Sequence, residues 1–204
     1  NGLGIAGVVW GVQLMPLKFL DNSGFGTTSD ALECINYAIE KDVDIINNSW
    51  GGSAHSHALF EALNRASRQG ILIATAAGNE SNSLETHPSY PASFVIPNQI
   101  VVTATDNRDN HAEYSNFSPI TAHVAAPGSA LSVATQNDHA YAELAGTSMA
   151  TAHVSGVLAA LKSHLPDETP EGLITRILNS VDLTHKLSGK CISEGRLNFR
   201  RAML

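Results

Sequence analysis

Cysteine is scarce in this chain of 204 residues, with only Cys34 and Cys191 present. No Cys-x-x-Cys or paired Cys/His spacing occurs, which excludes the common structural zinc motifs. Two cysteines allow one disulfide, but free, partly buried thiols are the favoured reading. No apolar run reaches the roughly 18 residues a membrane helix requires. No signal-peptide pattern is present, which leaves the compartment open. The chain does not begin with Met but with Asn1, as expected for a processed product or a piece of a longer reading frame. Basic residues are few: 12 Lys and Arg stand against 19 Asp and Glu, giving a net charge of −7. They form no basic stripe, so no nucleic-acid partner is expected.

The rest of the composition is ordinary for a globular protein, with 43 % hydrophobic and 15 % charged residues. A chain of this length buries about 70 % of its unfolded surface. One domain over residues 1–204 is the simplest organisation, since no repeat, linker or low-complexity tract interrupts it.

Short apolar runs alternate with helical patterns. Gln13–Leu20 reads as a strand, although Pro16 removes one ladder donor. Ser29–Lys41 reads as a helix capped by Ser29, with Ala31, Leu32, Ile35, Ala38 and Ile39 on one stripe. Asp44–Trp50 is a buried strand with a polar tip. Ser56–Gln69 is a second amphipathic helix, stopped by Gly70. Ile71–Ala77, Ile100–Thr105 and Ala122–Ala126 are further strands. Thr147–His164 is a long helix rich in small residues. Thr169 and Pro170 open a last helix to Val181. This alternation argues for an α/β fold with a mostly parallel sheet covered on both faces. Ligands in such sheets bind at the carboxyl ends of strands, here Asn48–Gly52 and Ala77–Asn79.

Three segments carry residues suited to chemistry. Ser148 begins a helix, where unpaired N–H groups and the helix dipole favour developing negative charge. A hydroxyl attacking a carbonyl creates such a charge. An isolated Ser at this position is nevertheless far more often a cap. His153 is close in sequence but five residues on, which rotates it about 140° away from Ser148; it reads as structural. Asn79 comes after a strand and a Gly, and its amide could donate to an oxyanion, although a turn Asn is the commoner meaning. Sequons at Asn47, Asn79 and Asn116 carry little weight.

The segments become specific together. Asn47-Asn48-Ser49-Trp50-Gly51-Gly52, then Ala76-Ala77-Gly78-Asn79-Glu80, then Ala125-Ala126-Pro127-Gly128, then Gly146-Thr147-Ser148-Met149-Ala150 resemble the subtilisin-like serine endopeptidases, or subtilases, in order and spacing. Asn1–Val8 resembles the segment just after that family's catalytic-histidine helix, and Gly195-Arg196-Leu197-Asn198 its closing segment. The resemblance implies a three-layer α/β/α fold. It implies Ser148 as acylating nucleophile, and Asn79 with the Ser148 N–H as oxyanion hole. Ser49-Trp50-Gly51 and Gly24-Phe25-Gly26 would line a substrate strand through main-chain hydrogen bonds. Trp50 with Ala76, Ala77 and Gly78 would wall a pocket roomy enough for a large apolar side chain. Asn1 by its side chain, and Leu3 and Ile5 by their carbonyls, resemble part of a calcium loop; a glycine-rich turn is the competing meaning. No organic cofactor is implied. The partner would be a peptide or protein substrate, in a secreted or cell-surface setting.

The chain also departs from the family. The order of the triad is Asp, His, Ser, and both the Asp and the His-Gly-Thr-His segment would precede Asn1. None of the nine histidines stands in that context. His55-x-His57 could chelate a metal, but a solvated loop is the simpler meaning. Losing the His of a triad costs roughly a million-fold in turnover, so this chain alone is expected to be close to inactive. The strand bearing Asp would lie between Gln13–Leu20 and Asp44–Trp50. The expectation is therefore a companion chain supplying it, or a distorted region over residues 1–50. A non-catalytic peptide binder is the alternative. Ala152, where the family has Pro, and a shortened Ser115–Gly128 are minor departures.

Overall fold

The computed structural model describes residues 5–128, the backbone of 131–134, and residues 141–204. The elements are α1 (Thr28–Glu40), β1 (Ile45–Asn48), α2 (His57–Arg68), β2 (Leu72–Ala76), β3 (Gln99–Thr105), β4 (Val124–Pro127), β5 (Leu131–Ala134), β6 (Tyr141–Leu144), α3 (Thr147–His164), α4 (Pro170–Asn179), β7 (Asp182–Leu183), β8 (Gly195–Arg196) and α5 (Phe199–Ala202). Six strands form one sheet in the order β1-β2-β3-β4-β8-β7. The pairs from β1 to β8 are parallel, and β7 closes the far edge antiparallel to β8.

Period-two alternation sorts the strand side chains between two layers. Leu72 and Ala74 of β2 and Ile100 and Val102 of β3 pack with Val154, Leu158 and Leu161 of α3 and Leu173 and Ile177 of α4. Ile73, between them on β2, faces the other way, with Ile35 of α1 and Leu59, Leu63 and Ala66 of α2. Helices therefore cover both faces, as the α/β pattern required. The small residues of α3 permit close approach. A Cβ on Gly156 would lie 2.7 Å from that of Val8, so the N-terminal segment rests directly on the helix there.

Local signals explain most boundaries. Ser56 caps α2 and Thr169 caps α4, whose first residue is Pro170. The cap of α1 is Thr27 rather than Ser29. Its hydroxyl takes the Asp30 N–H, and the Asp30 carboxylate returns a bond to the Thr27 N–H. The box spans three residues, which puts the cap two positions earlier than the apolar stripe suggested.

Gln13–Leu20 is not a strand, which corrects the sequence reading. A strand needs a neighbour to take its backbone groups. The outer edge of β1 has no strand paired to it among the described residues. Residues 5–27 instead run as irregular chain, with Trp10 84 % and Leu14 87 % exposed. The hairpin of β5 and β6 and the short strands β7 and β8 carry no apolar pattern long enough to announce them in sequence. Cys34 and Cys191 are both free thiols.

Two histidines are built into the sheet layers. His123 Nδ1 accepts the Val101 N–H (2.9 Å), and His111 Nε2 lies 3.0 Å from Thr103 Oγ1. Burial lowers both to about 4, with Lys190 adding to the effect on His111. A folded value below the ordinary 6.5 means the unfolded chain binds more protons. Stability is therefore full above pH 6.5 and declines as pH falls toward 4. Between pH 7 and pH 5, where carboxylates stay ionised, His123 should cost about 2 kcal/mol, and the more exposed His111 less, because solvent screens it. Urea midpoints should fall over that interval, and His123→Gln should flatten the fall.

Candidate active site

β1 and β2 end side by side, with Asn48 in register with Thr75. Both strands deliver polar residues to the same end of the sheet, where α3 begins. The start of α3 is locked to them from two directions.

From β2, Asn79 reaches the helix terminus. Its Oδ1 accepts the Thr147 N–H (2.8 Å) and the Thr147 hydroxyl (3.0 Å). That hydroxyl accepts the Gly78 N–H in turn (3.1 Å). The helix N-cap, Gly146, has no side chain to do this, so Asn79 caps the helix from a distance. The pairing also orients the amide. With Oδ1 committed to donors, Nδ2 is turned away from them and makes no hydrogen bond among the described residues. The backbone N–H of Ser148 is likewise without a partner there, whereas Met149 and Ala150 donate to the Gly146 carbonyl. Two unpaired donors thus flank the start of α3.

From β1, the contact is reciprocal. Ser148 Oγ donates to the Ser49 carbonyl (3.0 Å), and Ser49 Oγ donates to the Ser148 carbonyl (2.9 Å). Asn47 braces the pair: its Nδ2 donates to Ser49 Oγ (2.9 Å), and its Oδ1 accepts from Ser155 Oγ (2.7 Å). Asn48 is buried, with its Nδ2 unpaired. The apolar pattern of Asp44–Trp50 gave no sign of that.

His153 Nδ1 lies 3.0 Å from the Met149 carbonyl, one turn back on its own helix, and so carries the proton it donates there. It does not approach Ser148, as helical rotation required. Ala152 is exposed on this helix.

The other residues expected at the site are spread more widely. Ala76 and Ala77 are buried and Gly78 half-buried, at the tip of β2. Trp50 packs edge-on against Phe19, with centroids 5.1 Å apart. A Cβ on Gly51 would be crowded, 3.0 Å from Ser89 Oγ and 3.3 Å from the Tyr90 carbonyl. Gly52 pairs with Tyr90 through two backbone hydrogen bonds. Ser89 and Tyr90 were missed in sequence because they lie in a loop without a motif. Gly24, Phe25 and Gly26 are exposed in the turn before α1, and among the described residues no hydrogen bond joins them to Ser49–Gly51. Asn1 and Leu3 lie outside the described residues, and Ile5 is exposed. Among the described residues no group of three or more His, Cys, Asp or Glu could hold a metal ion. His55 stacks edge-on with Tyr90 and Phe94 rather than pairing with His57.

Sequence comparison gives the family. The profile of the subtilase family (Peptidase_S8) matches residues 1–196. The chain belongs to the subtilase family. Among curated relatives, thermitase of Thermoactinomyces vulgaris is 37 % identical over 63 % of this chain and 44 % of its own length. Subtilisin NAT of Bacillus subtilis subsp. natto is 36 % identical over 63 % of this chain and 33 % of its own length. The minor extracellular protease Epr of Bacillus subtilis is 34 % identical over 63 % and 19 %. The matched part of this subtilase therefore spans less than half of each relative. No helix of its described residues is long and apolar enough to cross a membrane.

One glycine at this site is testable at once. Gly78 has φ +105°, and a Cβ there would overlap the Asn116 amide nitrogen and Glu80 Oε2. Gly78→Ala should lower unfolding free energy by about 2–4 kcal/mol, combining backbone strain with overpacking. Urea titration would read it.

Proposed function

We propose that this subtilase domain is the nucleophile-bearing part of a serine endopeptidase. The observation that carries the reading is the orientation of Asn79. Its Oδ1 is fixed by Thr147, which leaves Nδ2 and the Ser148 N–H as unpaired donors beside a hydroxyl. A cap alone would need neither donor to stay free.

In this reading Ser148 Oγ attacks the scissile carbonyl and loses its proton to a base. The carbonyl oxygen becomes an oxyanion held by Asn79 Nδ2 and the Ser148 N–H. Collapse expels the amine, which takes the proton, and leaves an ester on Ser148 that water hydrolyses. Ser49–Gly51 would present one strand to the substrate backbone, and Gly24–Gly26 the other. Trp50, Ala76, Ala77 and Gly78 would wall the pocket for the residue before the cut. The hydrogen bond from Ser148 Oγ to the Ser49 carbonyl must break for attack, and it occupies an acceptor that a substrate strand would use.

In this reading the base comes from a further segment: among the described residues no histidine is hydrogen-bonded to Ser148, whose hydroxyl goes to the Ser49 carbonyl, and His153 is rotated away from Ser148 on its helix. The outer edge of β1, unpaired among the described residues, suits a further strand from a companion segment carrying the Asp and His. An extracellular setting belongs to the same proposal, supported by a relative named as extracellular. So does a structural calcium at the loop of Asn1, Leu3 and Ile5, which this chain alone would hold weakly. The second reading is a peptide-binding pseudoprotease. It is favoured by the bond that parks Ser148 Oγ on a backbone carbonyl instead of on a histidine.

Intact mass after treatment with a fluorophosphonate separates the two. The 204-residue chain should label at Ser148 only slowly, and an upstream extension supplying Asp and His should label within minutes. Absence of an adduct even on the extended form would leave the peptide-binding reading standing. In the extended form, Asn79→Ala should lower turnover about 10²–10³-fold with KM little changed. That magnitude was measured on a subtilisin itself.

A further inference from the structure

The turn that carries Asn79 is held by one residue from a distant loop. Asn116 lies between β3 and β4, 1 % exposed. Its backbone N–H donates to the Gly78 carbonyl (2.9 Å). Its Nδ2 donates to the Ala77 carbonyl (3.0 Å) and to Glu80 Oε2 (2.6 Å). Its Oδ1 accepts the N–H groups of Glu80 (3.1 Å) and Asn82 (2.9 Å). The side chain's two donors and two acceptor sites are all in use. Together with the backbone N–H they hold residues 77, 78, 80 and 82, on both sides of Asn79, and leave Asn79 itself untouched.

Asn116 is in turn anchored to the sheet. Its carbonyl accepts from Thr103 Oγ1 of β3 (2.8 Å) and from Ser115 Oγ (2.9 Å). The turn is thereby tied to a central strand. The demand is chemically narrow. Asp offers no donor, Ser cannot reach both sides, and Gln is one methylene too long for the same site. The absent Cβ of Gly78 belongs to the same arrangement, since it makes the room that the Asn116 amide fills.

We propose that Asn116 is a positioning residue for the oxyanion donor: it sets the turn from which the Asn79 amide is aimed, and touches no substrate. This rests on the reading of Asn79 as that donor. A donor displaced by a fraction of an ångström loses most of its worth to the transition state, so Asn116 should act on rate and not on substrate affinity.

The test uses the 204-residue chain with ¹⁵N-labelled asparagine, and follows the Asn79 side-chain amide signal and the rate of fluorophosphonate addition to Ser148. Asn116→Asp and Asn116→Ala should shift that signal and slow addition at least tenfold. Asn98→Ala is the control: Asn98 is equally buried but bonds the Ser67 and Ile71 carbonyls instead. It should lower the melting temperature and leave both readouts in place. Asn116 variants that lose stability as Asn98→Ala does, yet keep the Asn79 signal and the addition rate, would overturn the proposal. Should neither Asn116 variant fold, hydrogen exchange on the unaltered chain decides. The Glu80 and Asn82 amides should exchange slowly despite lying in a surface turn, and rapid exchange of both would overturn it. If the unaltered chain takes no probe, addition is read on the upstream-extended form; absence of an adduct there too fails the nucleophile reading of Ser148, while the amide signal and the exchange rates still judge Asn116.

Discussion

The contact between Asn79 and the start of α3 organises the site. A helix beginning at Gly146 leaves several N–H groups without partners, and the side chain that answers them comes from the end of β2 instead of from the helix itself. The same contact performs three tasks. It caps the helix, it joins the two strand ends to the helix that covers them, and it settles which way an amide points. Because Asn79 Oδ1 faces Thr147, its nitrogen is left free beside Ser148. Asn116 then holds the turn, and the Ser49–Ser148 exchange of hydrogen bonds fixes the other side. Removing Asn79 or Asn116 would leave backbone groups of buried residues unpaired, the Thr147 N–H or the Ala77 carbonyl, which costs more than the bond it replaces.

The opposite side of the site has no such closure. Among the described residues no strand pairs with the outer edge of β1, and the chain that precedes α1 forms no strand. That segment is held at only a few points, among them Val8 against Gly156 and Phe19 against Trp50. Between them it exposes large apolar groups. The contrast is physical: helix α3 contributes a buried seam that ties β1 to β4 together, while residues 5–27 have no sheet partner to satisfy their backbone. The firm half of the site is therefore the half that holds Ser148 and Asn79, and the loose half is the one formed by the chain before α1.

The core elements were legible because period and punctuation agreed. Thr147–His164 emerged with its predicted bounds, and the strands from β1 to β4 lie within a few residues of the apolar runs that announced them. Where sequence reasoning failed, tertiary context was missing. Gln13–Leu20 has strand composition but no neighbour, and composition cannot supply one. The cap of α1 shifted to Thr27 because a reciprocal pair with Asp30 outweighs the start of an apolar stripe. Ser89, Tyr90 and Asn116 carried no local signal, since their roles depend on chain that is distant in sequence. His111 and His123 stood in no motif, and their half-buried places against Thr103 and Val101 come only from the fold.

The sequence by itself determined the α/β alternation, the helix that begins at Ser148, and the family through four short motifs. These are local or nearly local properties, written in periodicity, glycine placement and contiguous residues. Only the tertiary structure decided that Asn79 presents its nitrogen rather than its oxygen to the site, that Ser148 rests on the Ser49 carbonyl, and that Asn116 grips the turn between them. Each of these depends on which donor meets which acceptor across a gap of 36 to 99 positions. A hydrogen-bonding side chain acquires its role from its partner, and folding brings that partner to it.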